Sequence, residues 1–280
     1  MIIAVNIGNS STQVGFFQLA GGEPFIHRFP AHPLKSAQEY LRELEEELEK
    51  YNFDLEYEPL AAPSHRAALC SVVPSHNDVF LELLELLIEK KGAGKSKTAK
   101  AKILIINHKT VRGMKFDVEN PAALGADRIA SSYGAWRMYG GPVCSVDMGT
   151  ATTCNFVTAG GLFLGGAILP GLGLMRDSLQ SGTAVLPYVE IAGLQKKDKQ
   201  KTLNAIGTNT TGSILSGIIY GTAGAISRII EEAELMRLEK FKVALTGGYA
   251  GLVAPYLKRL DFHEPALALK GIRLICLEAF

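Results

Sequence analysis

The sequence is poor in the features that mark secreted, metal-clustered or nucleic-acid-binding chains. Cysteine is scarce: Cys70, Cys144, Cys154 and Cys276 are scattered, mostly in apolar runs, and form no C-x-x-C pair. That spacing excludes a disulfide framework and a thiolate zinc knuckle, and leaves buried thiols in a reducing compartment as the expectation. The six histidines (His27, His32, His65, His76, His108, His263) show no ligand spacing, so no zinc site is expected. The formal charge is only +1, which gives no broad basic field for nucleic acid. A local loop can still bind phosphate without such a field. The N-terminus has no basic leader or cleavage site, and no apolar stretch of about 18 residues is read along the chain. No membrane partner is expected, and the location expected is cytoplasmic.

What is present is an ordinary globular composition, 47% hydrophobic and 20% charged, in 280 residues. That length suits two lobes of roughly 130–150 residues each. Strands are predicted at Ile2–Val5, Val14–Leu19, Ala68–Val73, Ile103–Ile106, Val143–Val146, Asn155–Val157, Leu162–Ile168, Val243–Leu245 and Ile272–Cys276. Helices are predicted at Lys35–Tyr51, from Ser75 as cap to Lys91, and at Gly125–Tyr139, Gly171–Ser181, Thr211–Leu235 and Ala250–Leu257. The acidic run Glu39 to Glu49 reads as the solvated face of the first helix. Alternation of the two element types predicts an α/β fold. The division is expected at Gly140–Gly141–Pro142, giving lobes 1–141 and 142–280.

Two segments about half a chain apart share one design. Ala4-Val5-Asn6-Ile7-Gly8-Asn9-Ser10-Ser11-Thr12 and Ser145-Val146-Asp147-Met148-Gly149-Thr150-Ala151-Thr152-Thr153 each end an apolar strand on an amide or carboxylate. Each then places a glycine two residues on, followed by hydroxyls. Glycine lets the backbone approach phosphate oxygens, and hydroxyls and N–H groups donate to them. A carboxylate at the strand end can hold a cation that bridges phosphates. Thr246-Gly247-Gly248, after a third apolar strand, allows flat approach of a base or ribose. Gly94-Lys95-Ser96 resembles the end of a P-loop but is not one, because Glu89 stands where that pattern needs glycine. It reads instead as part of a Gly/Lys-rich loop, Lys90 to Lys102.

The paired turns resemble the two phosphate motifs of the actin, sugar kinase and Hsp70 superfamily. Three further segments narrow the resemblance to the type III pantothenate kinases. Asn120-Pro121-Ala122-Ala123-Leu124-Gly125-Ala126-Asp127-Arg128 is similar to the family's N-P-x-x-(L/V)-G-A-D-R. Asp147-Met148-Gly149-Thr150-Ala151-Thr152-Thr153 is similar to its D-x-G-T-A-x-T. The third is Gly165 to Gly171 continued by Thr183-Ala184-Val185-Leu186-Pro187, with weaker matches at Cys70–Pro74 and Ile206–Thr210. The resemblance implies a two-lobed, actin-like (ribonuclease H-like) ATPase fold with duplicated sheet domains. It implies transfer of phosphate from ATP to pantothenate, the first step of coenzyme A biosynthesis, with Mg2+ and a monovalent cation (K+ or NH4+), in a homodimer.

By the same resemblance Asp127 is the general base for the pantothenate hydroxyl, a role that suits a carboxylate within hydrogen-bond reach. Arg128 fixes the substrate carboxylate. Gly125, Ala126, Thr183 and the position of Val118 line the acceptor. Asn6, Gly8, Asn9, Ser10, Ser11, Thr12, Gln13, Thr150, Gly247 and Gly248 contact ATP, and Asp147 holds the monovalent cation. The apolar stretch Ile214–Ile230, with Gly217, Gly221 and Gly224, reads either as a close-packed interface helix or as a core helix.

Two positions depart from the family pattern. Asn6 stands where aspartate is usual and is a neutral, poorer ligand for magnesium. Val118 stands where tyrosine is frequent. Beside the pantothenate kinase reading, the residues leave open a kinase for another small hydroxylated acceptor and a catalytically impaired or regulatory paralogue.

Overall fold

The computed structural model describes residues 1–18, 23–51, 53, 66–91, 102–191 and 203–279. The expected Gly/Lys-rich loop and its Gly94-Lys95-Ser96 lie almost wholly outside the described residues. The chain divides into two compact units. The first is Met1–Met114, Glu119–Gly134 and Ala268–Phe280; the second is Lys115–Val118 and Ala135–Leu267.

The first unit carries β1 (Ile2–Ile7), β2 (Ser11–Phe17), β3 (Phe25–Pro30), β4 (Arg66–Ser71) and β5 (Lys102–Ile105) in one sheet of order β3-β2-β1-β4-β5. Helices α1 (Ala37–Lys50) and α2 (Asn77–Lys91) cover one face. Val5, Ile7, Val14, Phe16, Phe29, Tyr40, Leu44, Phe80 and Leu83 share that core. Helix α1 starts where Ser36 and Glu39 form a reciprocal capping box. Helix α2 starts at Asn77 rather than at a Ser75 cap, because Pro74–His76 forms a tight 3-10 turn first. The following segment holds β6 (Lys115–Phe116) and α3 (Ala126–Tyr139).

The second unit repeats the design. Its strands are β7 (Val143–Met148), β8 (Ala151–Val157), β9 (Leu162–Pro170), β10 (Lys242–Thr246) and β11 (Phe262–His263), in order β11-β10-β7-β8-β9-β6. In both sheets the first strand runs antiparallel to the second and parallel to the fourth. β1 and β7 have the same burial sequence, and so do β2 and β8. The register differs at the turn: Ile7 faces Thr12, whereas Met148 faces Thr152, so the second turn is one residue shorter. The α/β class and the duplicated, actin-like sheet design expected from the sequence are those observed. The unit is completed by α4 (Leu172–Ser181), α5 (Thr210–Arg237) and α6 (Ala250–Val253).

Several elements differ from the sequence reading, among them the two-residue strands β6 and β11, which were not expected. Ile272–Cys276, expected as a strand, lies inside helix α7 (Leu267–Ala279). Buried Leu267, Ala268, Leu269, Ile272, Ile275 and Cys276 recur at helical spacing, which an apolar run hides. β3 was not predicted, because His27 and Arg28 interrupt its apolar residues. Helix α5 is long and apolar enough to cross a membrane by length and composition, contrary to the expectation that no such stretch exists. Its Ile214, Leu215, Ile218, Ile219, Ala223, Ile226 and Ile230 are buried in the core of the second unit. Gly217, Gly221 and Gly224 lie on its exposed side.

Helix α7 packs so closely on α3 that a Cβ at Gly271 would stand 1.9 Å from the Ala130 carbonyl oxygen. Backbone cannot yield as a side-chain tip can. Gly271→Ala is therefore expected to destabilise the protein by about 3 kcal/mol. A denaturant midpoint shift with an unchanged slope would register it; an unshifted midpoint would contradict the packing described.

Candidate active site

The first turn is built by strand alternation. Asn6 and Gln13 are cross-strand partners, so both project to one face, while Ile7 and Thr12 project to the other. Gly8 N–H donates to the Ser11 carbonyl at 3.0 Å and closes the turn, leaving Asn9 and Ser10 exposed. Asn6 Oδ1 is buried and has no hydrogen-bond partner. A buried amide oxygen without a donor is costly and points to a missing partner. Thr12 Oγ1 is in the same condition on the opposite face.

The candidate base belongs to the same unit. Asp127 stands in the first turn of α3, where free N–H groups face outward. Its Oδ1 accepts from the Arg128 N–H at 2.7 Å. A Cβ on Gly125 would meet that Oδ1 at 2.7 Å, so glycine is what lets the carboxylate fold back over the helix start. Burial raises the Asp127 pKa, opposed by the Arg128 N–H and the Arg128 charge. Burial also lowers the Arg128 pKa, with Asp127 opposing. Each shift is dominated by desolvation, and in each the partner's charge works against it. Val72 joins this group to the first turn. Its N–H donates to the Ile7 carbonyl at 3.1 Å, and its Cγ1 lies 3.7 Å from where a Gly125 Cβ would stand.

In the second unit Gly149 N–H donates to the Ala151 carbonyl at 3.1 Å, the counterpart of the Gly8 contact. Asp147 is half-buried, and its neighbours across the sheet are Thr153 and Thr246. Thr150 is exposed, and its carbonyl accepts from the Gly171 N–H at 3.1 Å at the start of α4. Gly247 has φ of +99°, and a Cβ there would lie 2.5 Å from Met148 N. The glycine turn and the turn after β7 are thus in backbone contact. Gly248, beside it, is exposed.

Thr183 and Val118 sit elsewhere in that unit. Thr183 follows the far end of α4, about 15 Å of helix from its start. Its hydroxyl donates to the Leu179 carbonyl at 2.8 Å. Val118 lies beside Gly165, whose φ of +105° only glycine adopts readily. Gly171 and Val72 lie in segments matched to the family, but their bracing role, like that of Ala31 and Tyr249, was not read from the sequence. They act through backbone groups, and no side-chain type announces that.

The donor set fits a nucleotide with its cations. The first turn offers an unpartnered amide oxygen and hydroxyls, which suit a hard cation or phosphate. Asp147 has two threonine neighbours, an all-oxygen setting that suits a monovalent cation. Among the described residues there is no group of three or more His, Cys, Asp or Glu that could cage a metal. A metal here would depend on ligands from the nucleotide.

The profile of the family described as type III pantothenate kinase matches residues 2–232. A type III pantothenate kinase of Moorella thermoacetica is 33% identical over 276 residues, covering 98% of each chain. One from Roseiflexus castenholzii is 34% identical over 278 residues, again covering 98% of each chain. Among solved structures, the ethanolamine utilization protein EutJ from Carboxydothermus hydrogenoformans covers 98% of this chain and 89% of its own at a TM-score of 0.51. Its identity is 13%, so that likeness concerns the fold alone.

Proposed function

The chain belongs to the type III pantothenate kinase family, and from that premise we propose that it transfers the γ-phosphoryl group of ATP to the primary hydroxyl of pantothenate. The product is 4'-phosphopantothenate, in the first step of coenzyme A biosynthesis. The observation that carries the reading is Asp127: a half-buried carboxylate with a raised pKa, folded back by Gly125 beside the first turn.

In this reading Asp127 accepts the hydroxyl proton as the hydroxyl oxygen bonds to γ-phosphorus and the bond to the β-phosphate oxygen breaks. ADP leaves, and the proton stays on the Asp127 carboxyl until solvent takes it. Arg128 pairs with the pantothenate carboxylate. Gly125 and Ala126 give the acceptor a flat backbone surface, with Thr183 and Val118 as its further contacts. Asn6, Gly8, Asn9, Ser10, Ser11, Thr12, Gln13, Thr150, Gly247 and Gly248 serve the nucleotide. Mg2+ accompanies ATP and neutralises phosphate charge, the main requirement of phosphoryl transfer. Asp147 holds K+ or NH4+. A homodimer in the cytoplasm completes the proposal, and the exposed glycines of α5 are compatible with close helix packing there.

Asn6 supports activity rather than loss of it, because its unpartnered Oδ1 is still an oxygen ligand aimed from the usual strand end. It lacks the charge. Asn6→Asp is therefore expected to lower the Mg2+ concentration for half-maximal rate by about tenfold, the size of one charge-assisted contact. Steady-state rates across a Mg2+ series would measure it. An Asn6→Asp curve superimposed on the native one would remove Asn6 from the metal site. If neither protein phosphorylates pantothenate while both bind ATP, the acceptor is another hydroxyl compound.

A further inference from the structure

Both turns are gripped by the same pair of backbone contacts. In the first unit the Ile7 carbonyl accepts from Val72 N–H and the Ser10 carbonyl from Ala31 N–H, each at 3.1 Å. In the second the Met148 carbonyl accepts from Tyr249 N–H and the Thr150 carbonyl from Gly171 N–H, each at 3.1 Å. Ala31 and Gly171 directly follow the last residues of β3 and β9. Val72 and Tyr249 lie just beyond β4 and β10. Each turn is thus held from both sides by the exits of two neighbouring strands.

In each unit an aromatic side chain joins those two exits. His76 sits on the 3-10 turn after Val73, and its N–H donates to the Val73 carbonyl at 3.0 Å. Its ring meets that of His32, next after Ala31, edge-on at 5.7 Å. In the second unit the Tyr249 hydroxyl oxygen lies 3.3 Å from where a Cβ on Gly173 would stand, two residues after Gly171.

His76 is only 4% exposed, and its Nδ1 has no hydrogen-bond partner. The Oδ1 of the adjacent Asn77 is unpartnered too. A buried imidazole nitrogen left unpaired is unfavourable, and leucine would fill similar space without that cost. Packing alone does not account for the histidine.

We propose that His32–His76 and Gly173–Tyr249 are latches that hold the two turns in their phosphate-binding form, which makes His76 and Tyr249 positioning residues for ATP. The inference rests on the assignment of the turns to nucleotide phosphates. Loosening a latch frees the carbonyl-holding strand exits and lets the turn amides point away from phosphate. Asp127 and Arg128 belong to the first unit and Gly173–Tyr249 to the second, whereas the His32–His76 latch is linked to Gly125 through Val72.

The test is calorimetric titration of ATP with Mg2+ into the full chain and into His76→Leu, His32→Ala, Tyr249→Ala and Gly173→Val, with thermal midpoints and steady-state constants alongside. The expected result is ATP affinity weakened by about tenfold in each variant, with KM for ATP raised, and with KM for pantothenate unchanged in Tyr249→Ala and Gly173→Val. His76→Leu should keep or raise its thermal midpoint while losing affinity, which a merely structural histidine would not do. If a buried-site variant fails to fold, His32→Ala, at an exposed position, carries the same comparison. Native-like ATP affinity in the folded variants would overturn the latches and leave the phosphate assignment intact. Failure of the unaltered chain to bind ATP would overturn the phosphate assignment itself, and the latches with it.

Discussion

Asp127→Asn is expected to lower kcat for pantothenate phosphorylation by about 10²–10⁴-fold, the range for loss of a positioned general base, while ATP still binds. The amide is isosteric and can accept from the Arg128 N–H as the carboxylate does. What it cannot do is take the hydroxyl proton. The pH profile gives a second readout. Burial holds the Asp127 carboxyl above its ordinary value, so it is protonated, and inactive as a base, to a higher pH than a surface aspartate. The acid limb of kcat/KM should therefore fall above about pH 4, the usual aspartate value, and should be absent from the residual rate of Asp127→Asn. Stability carries the opposite sign. A carboxylate whose folded pKa is raised favours the fold below its unfolded pKa, and that contribution is lost as pH rises through the folded pKa. At neutral pH the charged, half-buried Asp127 is thus a burden, and Asp127→Asn should melt no lower than the native chain. A variant that loses activity together with several degrees of melting temperature would indicate a structural role instead.

Gly247→Ala is expected to weaken ATP binding by about 100-fold or more, which corresponds to the roughly 3 kcal/mol of a strained backbone position. Two conditions coincide at this residue. Its φ of +99° disfavours any side chain, and the added Cβ would fall within 2.5 Å of Met148 N and 2.6 Å of the Met148 carbonyl carbon and oxygen. The neighbours are backbone atoms of Met148 at the end of β7, so relief must come from separating the glycine turn from that strand end. Gly149 provides the contrast. A Cβ there would meet nothing nearer than 3.8 Å, and no positive φ constrains it. Gly149→Ala should therefore keep the native melting temperature, whereas Gly247→Ala should not. Titration with an ATP analogue, paired with thermal melts, would separate the two. Equal ATP affinity in Gly247→Ala and the native chain would contradict the close contact between the turns.

The duplicated turns were legible because strand ends, glycines and hydroxyls are all local in sequence. Asn6 and Asp147 each end the first strand of a sheet, as the apolar runs before them indicate. The helix start at Asp127 was legible, and the structure adds why glycine precedes it. The closing helix was misread because Ile272, Leu274 and Cys276 alternate around Arg273 as in a strand, and the helical spacing shows only over the longer run Leu267 to Cys276. β3 was missed although its exit matters most, since Ala31 holds Ser10 through a backbone N–H that every residue but proline has. The same holds for Val72, Gly171 and Tyr249. Contacts of this kind depend on register between distant strands, and register is a property of the folded sheet.

The most direct test follows product rather than affinity. The native chain and Asp127→Asn would be incubated with ATP, Mg2+, K+ and pantothenate, and the acceptor analysed by mass spectrometry. The expected result is stoichiometric ADP and phosphopantothenate with the native chain, and a rate lower by orders of magnitude with Asp127→Asn. ADP release without phosphorylated pantothenate, or equal product from both proteins, would contradict the assignment of Asp127 as the base of a pantothenate kinase.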